Sequence, residues 1–357
     1  MAQDQRPHVL GHHGTHDLLR AFVLASIPTA LVGMWNLGQQ TLSAAQRLDI
    51  DASATWPGNI FHTLSSSAAP DSVLACTLYG LLHILPLLVT VFAVAYAWEQ
   101  IMARQRQRAM DPSWCMTAWL FVLLLPPATP LPLAAVAVSF AAIVGAHIFG
   151  GTGRYLVSPA LLGVLFLHFS YPGFVAAALP LPDVDLATSW SVAATEGPGA
   201  LSLTGTLLGA ELGAVGSTSA LACLLGFAYL IRVGAASLRT VLGAFTGLLL
   251  TATLMQLVGG DDPAWQLPWY WHLALGNFAF AIVFIATDPT CTPLTVGGRW
   301  LHGLLIGVLT VLLRVVDPTH PEGTLFAVLL AGLAVPLLDH LVLRATILRA
   351  SRRRLAA

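Results

Sequence analysis

Apolar residues along this chain fall into ten runs, separated by short polar breaks rich in proline or glycine. The runs cover about 18–40, 74–98, 114–129, 131–149, 158–181, 214–232, 238–258, 270–287, 300–316 and 323–345. A helix that crosses hydrocarbon needs about 20 predominantly apolar residues. The pattern therefore predicts an all-α membrane protein of about ten transmembrane helices. The third and eighth runs are short and end in the breaks PPATPLP (126–132) and DPTCTP (288–293). Hydrocarbon tolerates proline, glycine and charge only where they face protein or a water-filled cavity. These breaks therefore predict discontinuous helices inside a bundle.

A short run with a proline break, followed by a glycine-rich turn into a long run, occurs twice. PPATPLP with FGGTGRYLVSPALLG (149–163) in the first half is mirrored by DPTCTP with VVDPTHPEGTLFAVLLAG (315–332) in the second. Five runs per half is an odd number, so the second half is expected to run inverted. Inverted five-helix repeats with broken helices are typical of transport folds, with sites at the repeat interface. The expected organisation is an N-terminal segment over 1–17, a first repeat over 18–181, an outward loop over 182–213, a second repeat over 214–345 and a basic tail over 346–357.

Charge supports the lipid setting and gives an orientation. Hydrophobic residues make up 56% of the chain and charged residues 9%, against roughly 25% charged in soluble domains. All 16 basic residues are Arg, which excludes a lysine Schiff base or a P-loop lysine. Arg104, Arg106, Arg108, Arg154, Arg232, Arg239, Arg299 and the run Arg352–Arg354 alternate with loops carrying Asp49, Asp71, Asp183, Glu196, Asp261 and Glu322. By the positive-inside rule, both termini are expected in the cytoplasm of a bacterial inner membrane. The first apolar run is long enough to span, so no cleavable signal peptide is expected.

Cys76, Cys115, Cys223 and Cys291 are isolated, without a CxxC or CxxCH pattern, and read as small packing residues. His8, His12, His13 and His16 lack regular ligand spacing, and no metal site is expected. Nothing in the chain suggests nucleic acid.

The stretch ATDPTCTPLTVGGRWLHGLLIGVLTVLLRVVDPTHPEGTLFAVLLAGLAVPLLDH (286–340) resembles a family formed by the B subunit of the Na+-translocating NADH:quinone oxidoreductase and the D subunit of the Rnf complex. PWYWHLALGNFAF (268–280), GSTSALACLLG (216–226), LPPATPLP (125–132), FGGTG (149–153) and GMWNLGQQ (33–40) carry the same resemblance in order along nearly the whole chain. It implies ten spans in two inverted repeats and FMN linked by a phosphoester to a threonine outside the cytoplasm. It also implies a part in riboflavin and quinone binding, and work within a complex of about six subunits that passes electrons while ions cross. Partners would be the other membrane and flavin subunits; the chain would be a subunit of an ion-translocating oxidoreductase rather than an enzyme alone.

The family's flavinylation motif runs Asp-x-x-Ser-Gly-Ala-Thr. The matching segment here is SWSVAAT, ending in Thr195, with Ser189, Val192 and Ala193 in place of the aspartate, serine and glycine. Thr195 is the candidate FMN attachment site. Around FGGTG, the family's Lys-Glu, Lys-Asn and Asn-Pro pairs and its later arginine are replaced by Ala146-His147, Arg154-Tyr155, Ser158-Pro159 and Val164. Gly150, Gly151 and Gly153 permit close approach of the backbone to a ring or phosphate, or serve a tight turn, and Arg154 retains one basic charge.

Two further residues are candidates for an ion or proton pathway. Asp288, at the helix break, either binds a cation or proton or caps the helix end. His272 either relays protons or contacts a quinone, or belongs with Trp269, Tyr270 and Trp271 in an aromatic belt. Arg314, Asp317 and Glu322 read as an ion-pair network at the outward surface. These departures leave an alternative open: a paralogue with the ten-helix fold but without covalent flavin, acting as a channel, carrier or scaffold subunit.

Overall fold

A computed structural model of the chain describes residues 15–48, 58–61, 72–172, 192–193, 197, 199, 201–209, 213–259, 263–317 and 322–356. The described residues are helices and their connections, with no strand among them. Two 34-residue helices begin and end the bundle, α1 (Thr15–Leu48) and α12 (Gly323–Ala356). Between them lie α2 (Val73–Gln105), α3 (Ser113–Leu124) and α4 (Leu131–Phe140), the last continuing as a π-helix over Ala141–His147. Then come α5 (Pro159–Ser170), the short α6 (Leu203–Leu208), α7 (Ala220–Val233) and α8 (Leu238–Val258). The chain goes on through α9 (Trp269–Ala274), α10 (Phe278–Phe280) running into a second π-helix over Ala281–Ala286, and α11 (Val296–Val316).

Five of these helices are long and apolar enough to cross a membrane, and four shorter apolar helices join them. The run at 270–287 is split between α9 and α10. The reasons are local. Leu125 turns extended before Pro126-Pro127 and ends α3 after 12 residues, a length of about 18 Å. Leu275-Gly276-Asn277 interrupts the eighth run, with Gly276 at a φ of 69°. Hydroxyl caps start several helices: Ser72 accepts from the Ala75 amide, Ser219 from Ala222 and Thr295 from Gly298, each satisfying an N–H that the helix leaves open.

Without a strong hydrophobic drive between helices in lipid, close backbone approach through small residues holds them together. Gly243 and Gly247 of α8 face Trp300 and Leu304 of α11, while Gly303 and Gly307 of α11 face Thr240 and Ala244 of α8. A Cβ at any of the four would collide with the partner helix's backbone. Gly38 and Gly80 do the same where α1 crosses α2, against Cys76 and Met34.

The centre of the bundle is closed by aromatic rings. Phe280 and Phe284, both fully buried, lie 4.8 Å apart by ring centroids. Phe280 and Leu123 fill the space beside Gly216, and Phe284 and the Ala25 carbonyl fill the space beside Gly226.

Candidate functional site

The start of α1, the end of α2, the start of α3 and two loops meet at one end of the bundle. The first π-helix delivers the chain into the loop 148–158, and the second delivers it into the loop 287–295. π-Helical turns are rare and recur at functional sites. Both loops wall a single cavity of about 520 Å³: Thr152 and Gly153 come from the first, Pro289 and Thr290 from the second, and Arg108 and Asp111 from the α2–α3 connection. FGGTG and DPTCTP, far apart in sequence, are therefore two sides of one site.

The glycines permit this loop. Gly150, Gly151 and Gly153 have φ of 107°, 95° and 83°, a left-handed region that costs other residues about 1 kcal/mol or more. Two arginines from the end of α2 hold the loop in place. Arg106 Nη2 donates to the His147 carbonyl at 2.6 Å, and Arg108 Nη1 donates to the Gly150 carbonyl at 3.3 Å. Arg154 is exposed and lies alongside Gly150. Basic charge at FGGTG is thus supplied by Arg154 of the loop and by two residues some 40 positions upstream.

Behind the cavity runs a polar network. Thr152 Oγ1 donates to the Asp111 carboxylate, whose other oxygen accepts from the Ser113 amide at 3.1 Å. The Tyr155 hydroxyl meets Ser113 Oγ at 3.1 Å and Thr152 Oγ1 at 3.2 Å. Buried Glu99 accepts from the Asp111 amide at 3.0 Å and faces His147 Nε2 at 3.5 Å. Sequence reasoning did not single out Glu99 or His147 as a pair. The available signal was an acid at the end of an apolar run, but its partner lies on another helix.

Asp288 is buried at the start of the second loop. Its carboxylate accepts from the Thr290 amide at 2.9 Å and the Thr290 hydroxyl at 2.7 Å, so it does cap its own turn. It also borders a void of about 10 Å³ with Ser113, Tyr155 and Ser158, about the space of one water. Burial pushes its carboxyl above the ordinary carboxylate range, against the lowering effect of the Thr290 hydrogen bonds. Burial likewise pushes the Tyr155 phenol up, with Asp288 and Asp111 adding to it.

His272 stands at the other end. Tyr270 is half exposed, as a belt residue would be, but His272 is buried and its carbonyl accepts a 2.8 Å hydrogen bond from Arg314 Nη1. Arg314 is 0% exposed and reaches the Leu275 carbonyl with Nη2, also at 2.8 Å. The expected surface network of Arg314, Asp317 and Glu322 is corrected accordingly: Arg314 caps the broken end of α9, whose carbonyls have no helical partner. Glu322 turns elsewhere, to Asn277 in the break and to His168 of α5, whose Nε2 lies 3.5 Å away. His272 and Asp288 therefore belong to opposite ends of the bundle.

Thr195 lies outside the described residues. Among the described residues before it, Ala193 is fully buried against Leu267, Trp271 and Leu275. Among the described residues no cluster of three or more His, Cys, Asp or Glu is arranged to hold a metal ion.

A sequence profile of the NQR2, RnfD, RnfE family matches residues 2–347. The chain belongs to this family. It is similar to the B subunit of the Na(+)-translocating NADH-quinone reductase of Azotobacter vinelandii, 37% identical over 354 residues, with 95% of this chain and 87% of the relative covered. The corresponding subunit from Chromohalobacter salexigens is 38% identical over 348 residues, covering 94% and 84%. That from Klebsiella pneumoniae is 38% identical over 360 residues, covering 94% and 87%. Family membership and the apolar helices together make the chain a multi-pass membrane protein.

Proposed function

We propose that this chain is the membrane subunit of a flavin-dependent electron-transfer complex of the Nqr or Rnf type, coupling electron transfer to ion movement across the membrane. The observation that carries the reading is the cavity built by FGGTG and DPTCTP. At about 520 Å³ it falls within the range of small-molecule sites, roughly 300–1,000 Å³. Thr152, Gly153, Pro289 and Thr290 offer a mixed apolar and polar wall to a flat ring. Gly150, Gly151 and Gly153 bring backbone close to it, with Arg154 at the rim.

The residues present fit a flavin: a roomy concave wall with hydroxyl and backbone partners. When bound, the flavin supplies one- and two-electron transfer. The chain's own residues hold the ring, with Asp288 buried one residue before the cavity wall at Pro289 and Thr290, and with Phe280 and Phe284 packed in the bundle along the same segment. Asp288 serves as the ion or proton site at the cavity end and His272 at the opposite end. Quinone is a second ring that this cavity would accept.

In this reading the termini and the cavity face the cytoplasm of a bacterial inner membrane, and the two five-helix halves are inverted repeats. Other membrane and flavin subunits of the complex are the partners. Thr195 carries FMN by a phosphoester on the outward side. The test is to express the full chain with its own flavin transferase and read in-gel flavin fluorescence. A fluorescent wild-type band that goes dark in Thr195→Ala supports the attachment; a dark wild-type band refutes it.

The altered SWSVAAT segment favours a second reading, in which the fold is kept without covalent flavin and the chain acts as a channel, carrier or scaffold subunit. Ion flux through a reconstituted protein without any flavin would favour it, and a flavin that cycles with quinone would exclude it.

A further inference from the structure

We propose that His168 and Glu322 hold one proton between them, and that this proton ties the last turn of α5 to the start of α12 at the end of the bundle opposite the cavity. The tie does not depend on a flavin in that cavity. It is a contact between distant parts of the chain. His168 Nε2 lies 3.5 Å from Glu322 Oε1, and only 11% and 13% of the two side chains is exposed.

The other ring nitrogen decides which form of His168 fits there. Nδ1 lies 2.9 Å from the Val164 carbonyl, one turn back on α5. A carbonyl only accepts, so Nδ1 carries a proton. A neutral imidazole has one N–H, and its Nε2 would then turn a lone pair toward the carboxylate. That arrangement is repulsive. Protonation of Nε2 converts it to an ion pair. Glu322 keeps its charge in the meantime. Asn277 Nδ2 donates to Oε2, and Glu322 stands just before the first turn of α12, its carbonyl accepting from the Leu325 amide at 2.9 Å. Both surroundings favour the carboxylate. One proton on Nε2 therefore makes the contact, and its loss unmakes it.

The tie joins α5, in the first half of the chain, to the break at 275–277 and to α12 in the second. Phe169 packs on Phe326 beside it, with ring centroids 5.2 Å apart, a contact that does not answer to pH. Arg314 passes Gly323, but its guanidinium is turned to the His272 and Leu275 carbonyls. Tyr171 packs edge-on against Phe166, and Asp317 ends α11. His320 lies outside the described residues. Glu322 is the charged group that acts on His168. Histidine ordinarily titrates at about pH 6.5, so the tie can be made and released within the physiological range.

The test uses the full chain in nanodiscs, isotopically labelled on its histidine ring nitrogens and read by NMR. Resonances lost in His168→Phe belong to His168. At about pH 6 both of its nitrogens should be protonated, and as pH rises Nε2 alone should lose its proton. Glu322→Gln should hold that proton at least about tenfold more weakly. Amide hydrogen exchange over 322–328, corrected for the intrinsic effect of pH, reads the tie itself. In the wild type it should quicken at least about threefold when the proton leaves. It should be fast at both pH values in His168→Phe and slow at both in His168→Lys, whose cation is permanent. His320→Gln should behave as the wild type, and thermal melts report whether each variant is folded.

A bare Nε2 at every pH at which the chain is folded overturns the shared proton, as does an unchanged proton affinity in Glu322→Gln. Exchange over 322–328 that does not follow the titration of His168 overturns the tie. A pH dependence that survives in His168→Phe and vanishes in His320→Gln belongs to the other histidine and overturns the proposal.

Discussion

Arg314 of α11 donates a 2.8 Å hydrogen bond to the carbonyl of Leu275, the residue at which α9 ends. A second donor from the same guanidinium takes the His272 carbonyl. Broken helices in a membrane leave carbonyls that water cannot reach, and each must find a donor inside the protein. A charged side chain with 0% exposure is thus the means by which the break at 275–277 is kept.

The first prediction follows from this cap. Arg314→Leu leaves two carbonyls without these donors, at about 1–3 kcal/mol each, and should lower the thermal midpoint in detergent. Arg314→Lys keeps the charge but only one compact donor head, and should fall between. A wild-type midpoint in Arg314→Leu would show that the break does not depend on this contact.

The glycines at the α8–α11 crossing give the second. Gly307→Val places a branched side chain against the backbone of Ala244 and Leu248. Overpacking of this kind costs about 1–3 kcal/mol or more, so less folded protein should be recovered by size exclusion. Leu250→Ala, at a position 62% exposed on α8, should change stability by less than about 0.5 kcal/mol.

Asp288 gives a dependence on pH. Its carboxyl is raised by burial, so the folded protein favours the protonated form. The stability this contributes is complete below the ordinary carboxylate pKa and is lost as pH rises through the higher folded value. Thermal melts of the wild type should fall as pH rises from the ordinary carboxylate range towards that higher folded value. Asp288→Asn keeps an acceptor for Thr290 and cannot ionise, so its curve should lose this slope. If ion movement uses Asp288, the same variant should lower flux while still folding.

Glu99 tests the support of the cavity. Glu99→Leu removes the acceptor for the Asp111 amide and the partner of His147. A cost of about 1–3 kcal/mol is expected, with weaker retention of any ring in the cavity, read as flavin released on denaturation. Glu99→Gln can still accept from the amide and should retain most of the stability. Equal losses in the two variants would assign the effect to charge rather than to the hydrogen bond.

Residue order alone dictates the lipid setting, the helical class and the places where proline breaks helices. These are local or additive properties. A run of apolar residues favours lipid regardless of what it packs against, and Pro126-Pro127 interrupts a helix in any fold, whereas the break at Gly276 inside the eighth run emerged only from the packed structure. The FGGTG and DPTCTP motifs were legible as candidate site segments for the same reason. Which of them meet, and what supplies their charge, came from the packed bundle. Arg106 and Arg108 bind a loop some 40 residues away, Glu99 finds His147 on another helix, and Arg314 leaves the surface to cap α9. Each is set by helix packing through small residues, which brings distant positions within hydrogen-bond reach and leaves no periodic trace in the chain. For the same reason His272 and Asp288, similar as intramembrane polar residues, could be assigned to opposite ends only once the helices were in place.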